Sequence, residues 1–334
     1  MIKNNVTTFF FNNRMRDFFY GKQATAHLQI LLYHRILNTD EIDFLYNLNM
    51  VHTSTKNFED HLKWFKQHNY NIINFTKLSE LLKDGHTIPQ KTIILTFDDG
   101  TLDHYMNAVP LLKKYDFSAT FFPIKNCVYN NGLFWLLEFY LYLNELGSAR
   151  ISRILQDLPR LPRSILADER LPNFNKRRLF RRRKNIVFEF KYLFSVKEKE
   201  LGLIRLRKES SLTGKEVAAF CQCFMNSDQI KELIKEGFEV GSHGVHHYPM
   251  SCLTREEKRI EIEKQWIEQV NPEGTKVFSL PFGSHSLSDF ELLKEYEFVL
   301  TTKNETYFNT CGREPGRFAV ANESIQELSK RLIK

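Results

Sequence analysis

A short apolar segment that ends in two acidic residues most constrains the fold of this chain. Thr92 to Phe97 reads T-I-I-L-T-F, and this run of β-branched and large apolar residues predicts a strand buried on both faces. Asp98 and Asp99 follow directly, and Gly100 allows the chain to turn. Paired acids in this place indicate either the ligand-binding edge of an α/β sheet or a turn that caps the next helix.

Short strand-like segments alternate with helical segments before and after this strand. Such alternation predicts parallel strand pairing with right-handed crossovers. No glycine-rich phosphate-binding fingerprint follows any strand, which disfavours a dinucleotide-binding sheet. We therefore predict an α/β barrel of about seven parallel strands. The other predicted strands are 29–34, 71–75, 118–123, 238–242, 276–280 and 298–302.

The alternation stops between residues 125 and 226, which predicts a mostly helical insertion that divides the barrel into residues 1–124 and 227–334. Within the insertion, Asn175 to Lys184 carries seven cations of a chain whose net charge is +7. The segment is expected to contact an anionic membrane surface or a phosphate-bearing ligand, or to be a solvated helix face. No nucleic acid partner is expected, because the aromatic platforms of such proteins are missing.

Cysteine usage and hydropathy bear on the compartment. The five cysteines are odd in number and thinly spread, which is not typical of a disulfide framework. The N-terminal residues show no apolar core of a signal peptide, and no run of 18 apolar residues occurs. We expect a cytoplasmic protein, with peripheral contact at the inner membrane surface as a further expectation.

A histidine cluster follows another predicted strand. His243, His246 and His247 lie within five positions after residues 238–242. Two imidazoles and one carboxylate form a three-ligand site that leaves coordination positions open, as a catalytic divalent metal requires. One residue of the Asp pair could then hold the metal while the other takes a proton from water. Structural histidines are the alternative, and the matching Asp pair favours the metal site.

At these residues the chain resembles the polysaccharide deacetylases of the NodB-homology type, carbohydrate esterase family 4. The matching motifs are T-F-D-D-G at 96–100, S-A-T-F-F at 118–122, G-S-H-x-x-x-H at 241–247 and L-P-F-G at 280–283. They cover roughly residues 29–124 and 226–321. The resemblance implies a distorted (β/α) barrel that removes acetyl groups from sugars with a divalent metal ion, commonly zinc.

The resemblance also implies roles for individual residues. Asp98 resembles the catalytic base, and Asp99, His243 and His247 resemble the metal ligands. His246 has no matching position and is expected to point outward. The residues expected to contact substrate are Pro281, Phe282, Gly283 and Arg317.

Two departures from the family pattern concern the base and the acid. Ser279 stands where the family often has an arginine, so nothing there is expected to orient the base in the usual way. The late Leu-x-His motif that supplies a general acid has no clear match, and the equivalent residues 312–318 hold arginines instead. These arginines could contact an anionic substrate. His34 and His285 are the candidates for protonating the leaving nitrogen, and a structural role is the alternative for each.

Together these patterns predict a metal-dependent hydrolase that removes an N-acetyl group from an amino sugar. The expected substrate is a nucleotide- or lipid-linked glycan precursor. One alternative within the same chemistry is a lipid-linked aminosugar deformylase. Another, from a different class, is a catalytically inactive barrel that binds glycan.

Overall fold

The computed structural model describes residues 28–38, 51–129, 133–162, 186–213, 216–217, 223–272, 274–302 and 316–332. The strands are Leu28–Tyr33 (β1), Arg35–Leu37 (β2), His52–Ser54 (β3), Asn71–Ile73 (β4), Thr92–Asp99 (β5), Thr120–Pro123 (β6), Glu239–Val240 (β7), Val277–Ser279 (β8), Phe298–Leu300 (β9) and Phe318–Ala319 (β10). The α-helices are Thr55–Gln67 (α1), Phe75–Lys83 (α2), Val109–Tyr115 (α3), Lys125–Tyr129 (α4), Trp135–Ile154 (α5), Ile186–Tyr192 (α6), Val196–Glu209 (α7), Ser227–Lys235 (α8), Arg255–Glu261 (α9), Gln265–Glu268 (α10) and Ile325–Leu332 (α11).

Six strands form the main sheet, and all of its pairings are parallel. Its order is β10-β1-β5-β6-β7, and β4 pairs with the first half of β5. The predicted strand 92–97 therefore lies at the centre of the sheet, and all eight residues of β5 are buried. Since parallel strands present their carboxyl ends at one edge, that edge collects the residues that follow β1, β5, β6 and β7.

The predicted closed barrel is not what the structure shows. In the described part of the chain, β2 pairs only with β3, and β8 pairs only with β9, so two small sheets stand beside the main one. A single bridge between Ser242 and Phe278 links β7 to β8. β7 and β10 are each two residues long, and one bridge cannot continue a ladder around a barrel. The architecture is an α/β fold around about six parallel strands.

Aromatic side chains pack in a row just below the edge of the sheet where the carboxyl ends of the strands lie. Tyr33, Phe97 and Phe121 are register neighbours on β1, β5 and β6, and their rings stack with centroids 5.4 and 4.9 Å apart. Each such aromatic pair contributes about 0.5–1.5 kcal/mol beyond the burial of its area. The row holds the three strand ends at a fixed spacing directly below the acidic pair.

The described parts of the predicted insertion are helical. Helix α5 packs against α6 and α7, and the three helices contact the main body through a cluster that includes Trp135 and Phe190. The basic segment 175–184 lies outside the described residues, and so do Cys221 and Cys311. No helix in the described part of the chain combines the length and hydropathy needed to cross a bilayer.

Candidate metal centre and catalytic pair

Asp98 and Asp99 are the last two residues of β5 and lie at the carboxyl edge of the sheet, and both are buried. Asp99 adopts a left-handed backbone with φ of 74°, and Gly100 follows with φ of 71°. A Cβ atom on Gly100 would lie 2.6 Å from Cα of Pro123, so only glycine fits here. The left-handed conformation costs a non-glycine residue about 1–3 kcal/mol, and such strain concentrates at functional sites.

The histidines lie on the loop that follows β7, and His243 is the third residue after that strand. The backbone N–H of His243 donates to the carbonyl of Pro123 at the end of β6, which brings the loop beside the acidic pair. The buried carboxylate of Glu261 accepts hydrogen bonds from the backbone N–H groups of His246 and Tyr248, at 3.1 Å each. His247 lies between these two anchored residues and has φ of 64°. The loop is therefore fixed on both sides of His247.

Three potential metal ligands converge at this edge. The Nε2 atoms of His243 and His247 are 3.1 Å apart, and each lies 3.5 Å from Oδ1 of Asp99. In the described part of the chain, Asp99, His243 and His247 form the one group of three residues whose ligand atoms approach closely enough to hold a metal ion. All three are buried, with exposed fractions of 5% or less.

The surroundings of His243 determine which ring nitrogen is free to bind a metal. Its Nδ1 lies 2.8 Å from the carbonyl oxygen of Ser279, and because a carbonyl only accepts, Nδ1 carries the hydrogen. The lone pair of Nε2 then points at His247 and Asp99. A hydrogen bond that fixes the tautomer of a ligating histidine in this way is typical of metal sites.

The charges of the cluster fit a divalent cation. Two imidazole nitrogens at 3.1 Å repel one another unless a proton or a cation lies between them. Burial lowers the pKa of both histidines; Asp98 and Asp99 outweigh it at His243, whose pKa is raised, whereas the pKa of His247 falls well below its usual range. At Asp99 burial opposes ionisation, but His243 and His247 hold its pKa low. A carboxylate and two neutral imidazoles are a donor set that suits zinc and similar ions.

Residues 85–157 and 211–300 match the family model described as polysaccharide deacetylase. The chain belongs to the polysaccharide deacetylase family. The Bacillus subtilis protein YxkH is 35% identical over 102 residues, which are 30% of this chain and 33% of YxkH. The Staphylococcus aureus poly-β-1,6-N-acetyl-D-glucosamine N-deacetylase is 31% identical over 101 residues, 28% of this chain and 34% of that protein. The chain thus spans about a third of the length of these relatives.

The fold of this polysaccharide deacetylase homologue also resembles solved structures. The Streptococcus pyogenes deacetylase PplD, solved in complex with acetate, superposes with a TM-score of 0.58 over 91% of this chain and 97% of PplD. Sequence identity is 17%, so this likeness concerns the fold alone. It extends the similarity across both the segments before and after the helical insertion.

Arg317 and Ser279 both contact the predicted base, Asp98. Arg317 is fully buried, and its two Nη atoms each donate to a different carboxylate oxygen of Asp98 at 2.7 Å, while its predicted contact with substrate stays a prediction. Ser279, at the position where the usual orienting arginine is missing, has its Oγ 3.1 Å from both Asp98 oxygens and accepts from Arg317 at 2.8 Å. Arg317 and Ser279 together therefore orient Asp98.

This ion pair sets the charge state of Asp98. Burial raises the pKa of Asp98, but the neighbouring Arg317 and His243 outweigh burial and lower it to about 2. Asp98 therefore stays ionised at neutral pH. Its Oδ2 atom lies 3.7 Å from Nε2 of His243, beside the three potential metal ligands rather than among them.

The other predicted site residues occupy different surroundings. Phe282 is partly exposed, with φ of 58°, and its ring centroid lies 4.4 Å from that of His247. Pro281 and Gly283 on either side of it are buried. His246 turns away from the ligands, with 38% of its side chain exposed and its Nδ1 3.2 Å from Glu261. A substrate contact by residues 281–283 stays a prediction.

The two candidate proton donors are placed differently. His34 follows β1, and because Tyr33 pairs with Phe97, it lies beside the acidic pair that ends β5. Burial lowers the pKa of His34, and the charges of Asp99 and Asp98 act against this effect. His285 lies within hydrogen-bond distance of the carbonyl of Gly283, and its ring packs against Phe290. Of the two, His34 is the one that faces the candidate centre.

The insertion supplies a wall of the site that sequence patterns did not indicate. Nε1 of Trp135 donates to the carbonyl of His247 at 3.0 Å, and the ring of Phe134 lies 4.6 Å from the His247 ring. On α6, Lys191 places its ammonium 3.3 Å from the centroid of Phe282. The only sequence signal for these contacts was the aromatic segment 133–143, which resembled an ordinary buried helix.

Proposed function

We propose that this chain is a metal-dependent hydrolase that removes an N-acetyl group from an amino sugar. The observation that carries the proposal is the convergence of Asp99, His243 and His247 beside an Asp98 that Arg317 keeps ionised. Membership of the polysaccharide deacetylase family supports it. The name of the Staphylococcus aureus relative, an N-deacetylase of poly-β-1,6-N-acetyl-D-glucosamine, supports an acetamido sugar as the substrate.

Asp99, His243 and His247 would hold the cation, for which zinc is our proposed identity. When bound, a divalent cation supplies Lewis-acid polarisation of the acetamide carbonyl. Asp98 then accepts a proton from the attacking water at a carboxylate oxygen, because Arg317 and Ser279 hold that carboxylate ionised and in a fixed orientation. The new bond joins the water oxygen to the acyl carbon.

The leaving nitrogen needs a proton when the carbon–nitrogen bond breaks. We assign this step to His34, whose imidazole faces the acidic pair from the end of β1. Its Nδ1 atom is buried and has no hydrogen-bond partner in the described part of the chain. The products are acetate and a free amino sugar.

The proposal extends to the form of the substrate and its place in the cell. Asn175–Lys184 carries seven cations, which suit a phosphate- or lipid-linked sugar or the anionic inner face of a membrane. A nucleotide- or lipid-linked glycan precursor is accordingly the substrate that we propose, with the protein in the cytoplasm and in peripheral contact with the inner membrane.

The test is acyl release from a panel of free, nucleotide-linked and lipid-linked amino sugars by metal-depleted and metal-reconstituted protein. We expect acetate release that requires metal and that Asp98→Asn abolishes without loss of bound metal. Formate release from formamido sugars alone would instead identify a deformylase. Stoichiometric metal with no release from any sugar would contradict the proposal and support the inactive, glycan-binding barrel.

A further inference from the structure

The helical insertion places one cation at the edge of the candidate centre. Lys191 is the penultimate residue of α6, directly before Tyr192, and its ammonium lies over the ring of Phe282. The same ring contacts His247. The three metal-ligating residues are exposed by 5% or less, whereas Lys191 and Phe282 are partly exposed. A sugar that approaches the centre along this wall therefore meets Lys191 and Phe282 before it reaches the ligands.

Lys191 differs from the arginines of the insertion because its charge is not neutralised by an acid. Four arginines of the insertion form ion pairs with nearby carboxylates: Arg150 with Glu209, Arg160 with Glu189, Arg205 with Asp157 and Arg207 with Glu138. In the part of the chain that the structure describes, the Lys191 ammonium forms no ion pair and lies over the faces of Phe282 and Tyr192. An aromatic face stabilises a cation only partly, so the ammonium retains capacity for an anion.

The electrostatic state of Lys191 agrees with this geometry. Burial lowers the pKa of Lys191 to about 7, and the facing groups Asp99 and Cys252 only partly oppose the effect. Asp99 opposes the effect of burial only while its charge is not neutralised by a bound cation. A partly desolvated ammonium without an ion pair gains free energy from any anion that binds beside it.

We propose that Lys191 binds a negatively charged substituent, a phosphate or a carboxylate, on the sugar whose acetamido group reaches the candidate centre. The inference rests on the proposed function and names its substrate class. Lys191 and His247 contact the same phenyl ring, so a substituent on the reacting sugar or on its neighbour can reach the ammonium. Lys191 is in this view a specificity-determining residue.

The experiment compares a neutral sugar with two charged ones. The ligands are N-acetylglucosamine, its 1-phosphate and N-acetylglucosaminuronic acid, which separate a general anion preference from a phosphate preference. Equilibrium binding to metal-loaded protein is measured by calorimetry in an Asp98→Asn background, and acetate release is measured with the intact base. The variants are Lys191→Met and Lys191→Arg, with the exposed Lys197→Met on α7 as the matched control.

We expect at least one charged sugar to bind about tenfold more tightly than the neutral sugar, as a charge-assisted hydrogen bond provides. Lys191→Met should abolish that preference, whereas Lys191→Arg and Lys197→Met should retain it. An unchanged preference in Lys191→Met, no preference in the parent protein, or a loss in Lys191→Arg would overturn the inference. Binding that follows these expectations without acetate release from any sugar would contradict only the proposed function.

Discussion

Arg317 and Asp98 form a bidentate ion pair in which each carboxylate oxygen accepts one hydrogen bond of 2.7 Å. The two side chains are 0% and 2% exposed, so the pair is shielded from water and from salt. The residues are 219 positions apart and meet because β10 and β5 flank β1 in the sheet. This ion pair therefore also ties the C-terminal part of the chain to the central strand.

Removing the arginine of this pair should lower both the free energy of unfolding and the rate of acetate release. Arg317→Met leaves the Asp98 carboxylate buried without its counter-charge, and breaking a buried pair in this way costs about 3–5 kcal/mol. We expect the free energy of unfolding in urea to fall by that amount and acetate release to fall by at least tenfold. The matched control is Arg150→Met, whose partner Glu209 is about half exposed, and which should change the stability by less than about 1 kcal/mol. Equal effects of the two substitutions would contradict this account of Arg317.

The histidine loop contains its own control for the metal site. His243→Ala removes an Nε2 donor, and we expect the protein to lose stoichiometric zinc binding, measured by elemental analysis after dialysis. His246→Ala, three positions away, removes a side chain that faces solvent and Glu261, and it should retain the metal. Retention of full metal affinity by His243→Ala would show that the three residues are not the ligand set.

The positions of Asp98, Asp99, His243 and His247 could be predicted from the sequence because each lies at, or shortly after, the carboxyl end of a strand. In a parallel sheet, the residues that follow neighbouring strands meet at one edge whatever the details of packing. The partner of Asp98 could not be predicted in the same way, since Arg317 directly precedes β10, a two-residue strand with almost no pattern of its own. The same weakness of β7 and β10 made the predicted barrel closure wrong.

The position of Lys191 beside the candidate centre could not be predicted either, for a different reason. Its sequence neighbours indicate an ordinary amphipathic helix, and only the packing of α6 against Phe282 gives it a place at the centre. Periodicity reports which face of a helix is buried, but it does not report against which part of the molecule that face packs. Residues that an insertion contributes to a site are therefore visible only in the folded structure.

Glu261 provides a third prediction, because it holds the loop without touching the metal ligands. Its carboxylate accepts from the backbone N–H groups on both sides of His247, and a Cβ on Gly244 would lie 2.4 Å from its Oε1 atom. Glu261→Gln places an NH2 group against one of these donors. We expect metal affinity to fall by about 10–100-fold, as measured by competition with a chelator.

The control for this prediction is Glu263→Gln. Glu263 is two residues away and forms a partly exposed ion pair with Lys125, so its substitution should leave the metal affinity unchanged. A Glu261→Gln protein with normal metal affinity would show that the loop holds its conformation without the carboxylate.

The last prediction concerns pH and uses the lowered pKa of Lys191. In the free protein this pKa is about 7, and a bound anion raises it by stabilising the ammonium. Affinity for an anionic sugar is therefore complete below about pH 7 and declines as the pH rises above the free pKa, by up to tenfold per pH unit. We expect this decline for N-acetylglucosaminuronic acid, whose carboxylate stays ionised across the range, so that only the protein titrates.

Two comparisons isolate Lys191 from the other groups that titrate near the centre. The affinity for neutral N-acetylglucosamine, measured over the same pH range, reports changes at the histidines and at Asp99, and the ratio of the two affinities removes them. In Lys191→Arg the guanidinium remains charged, so the ratio should become independent of pH between 6 and 9, values chosen to bracket the free pKa of about 7. A ratio that declines equally in Lys191→Arg and in the parent protein would assign the titration to another residue. A flat ratio in both would mean that Lys191 stays charged and that its partly buried position does not weaken its proton affinity.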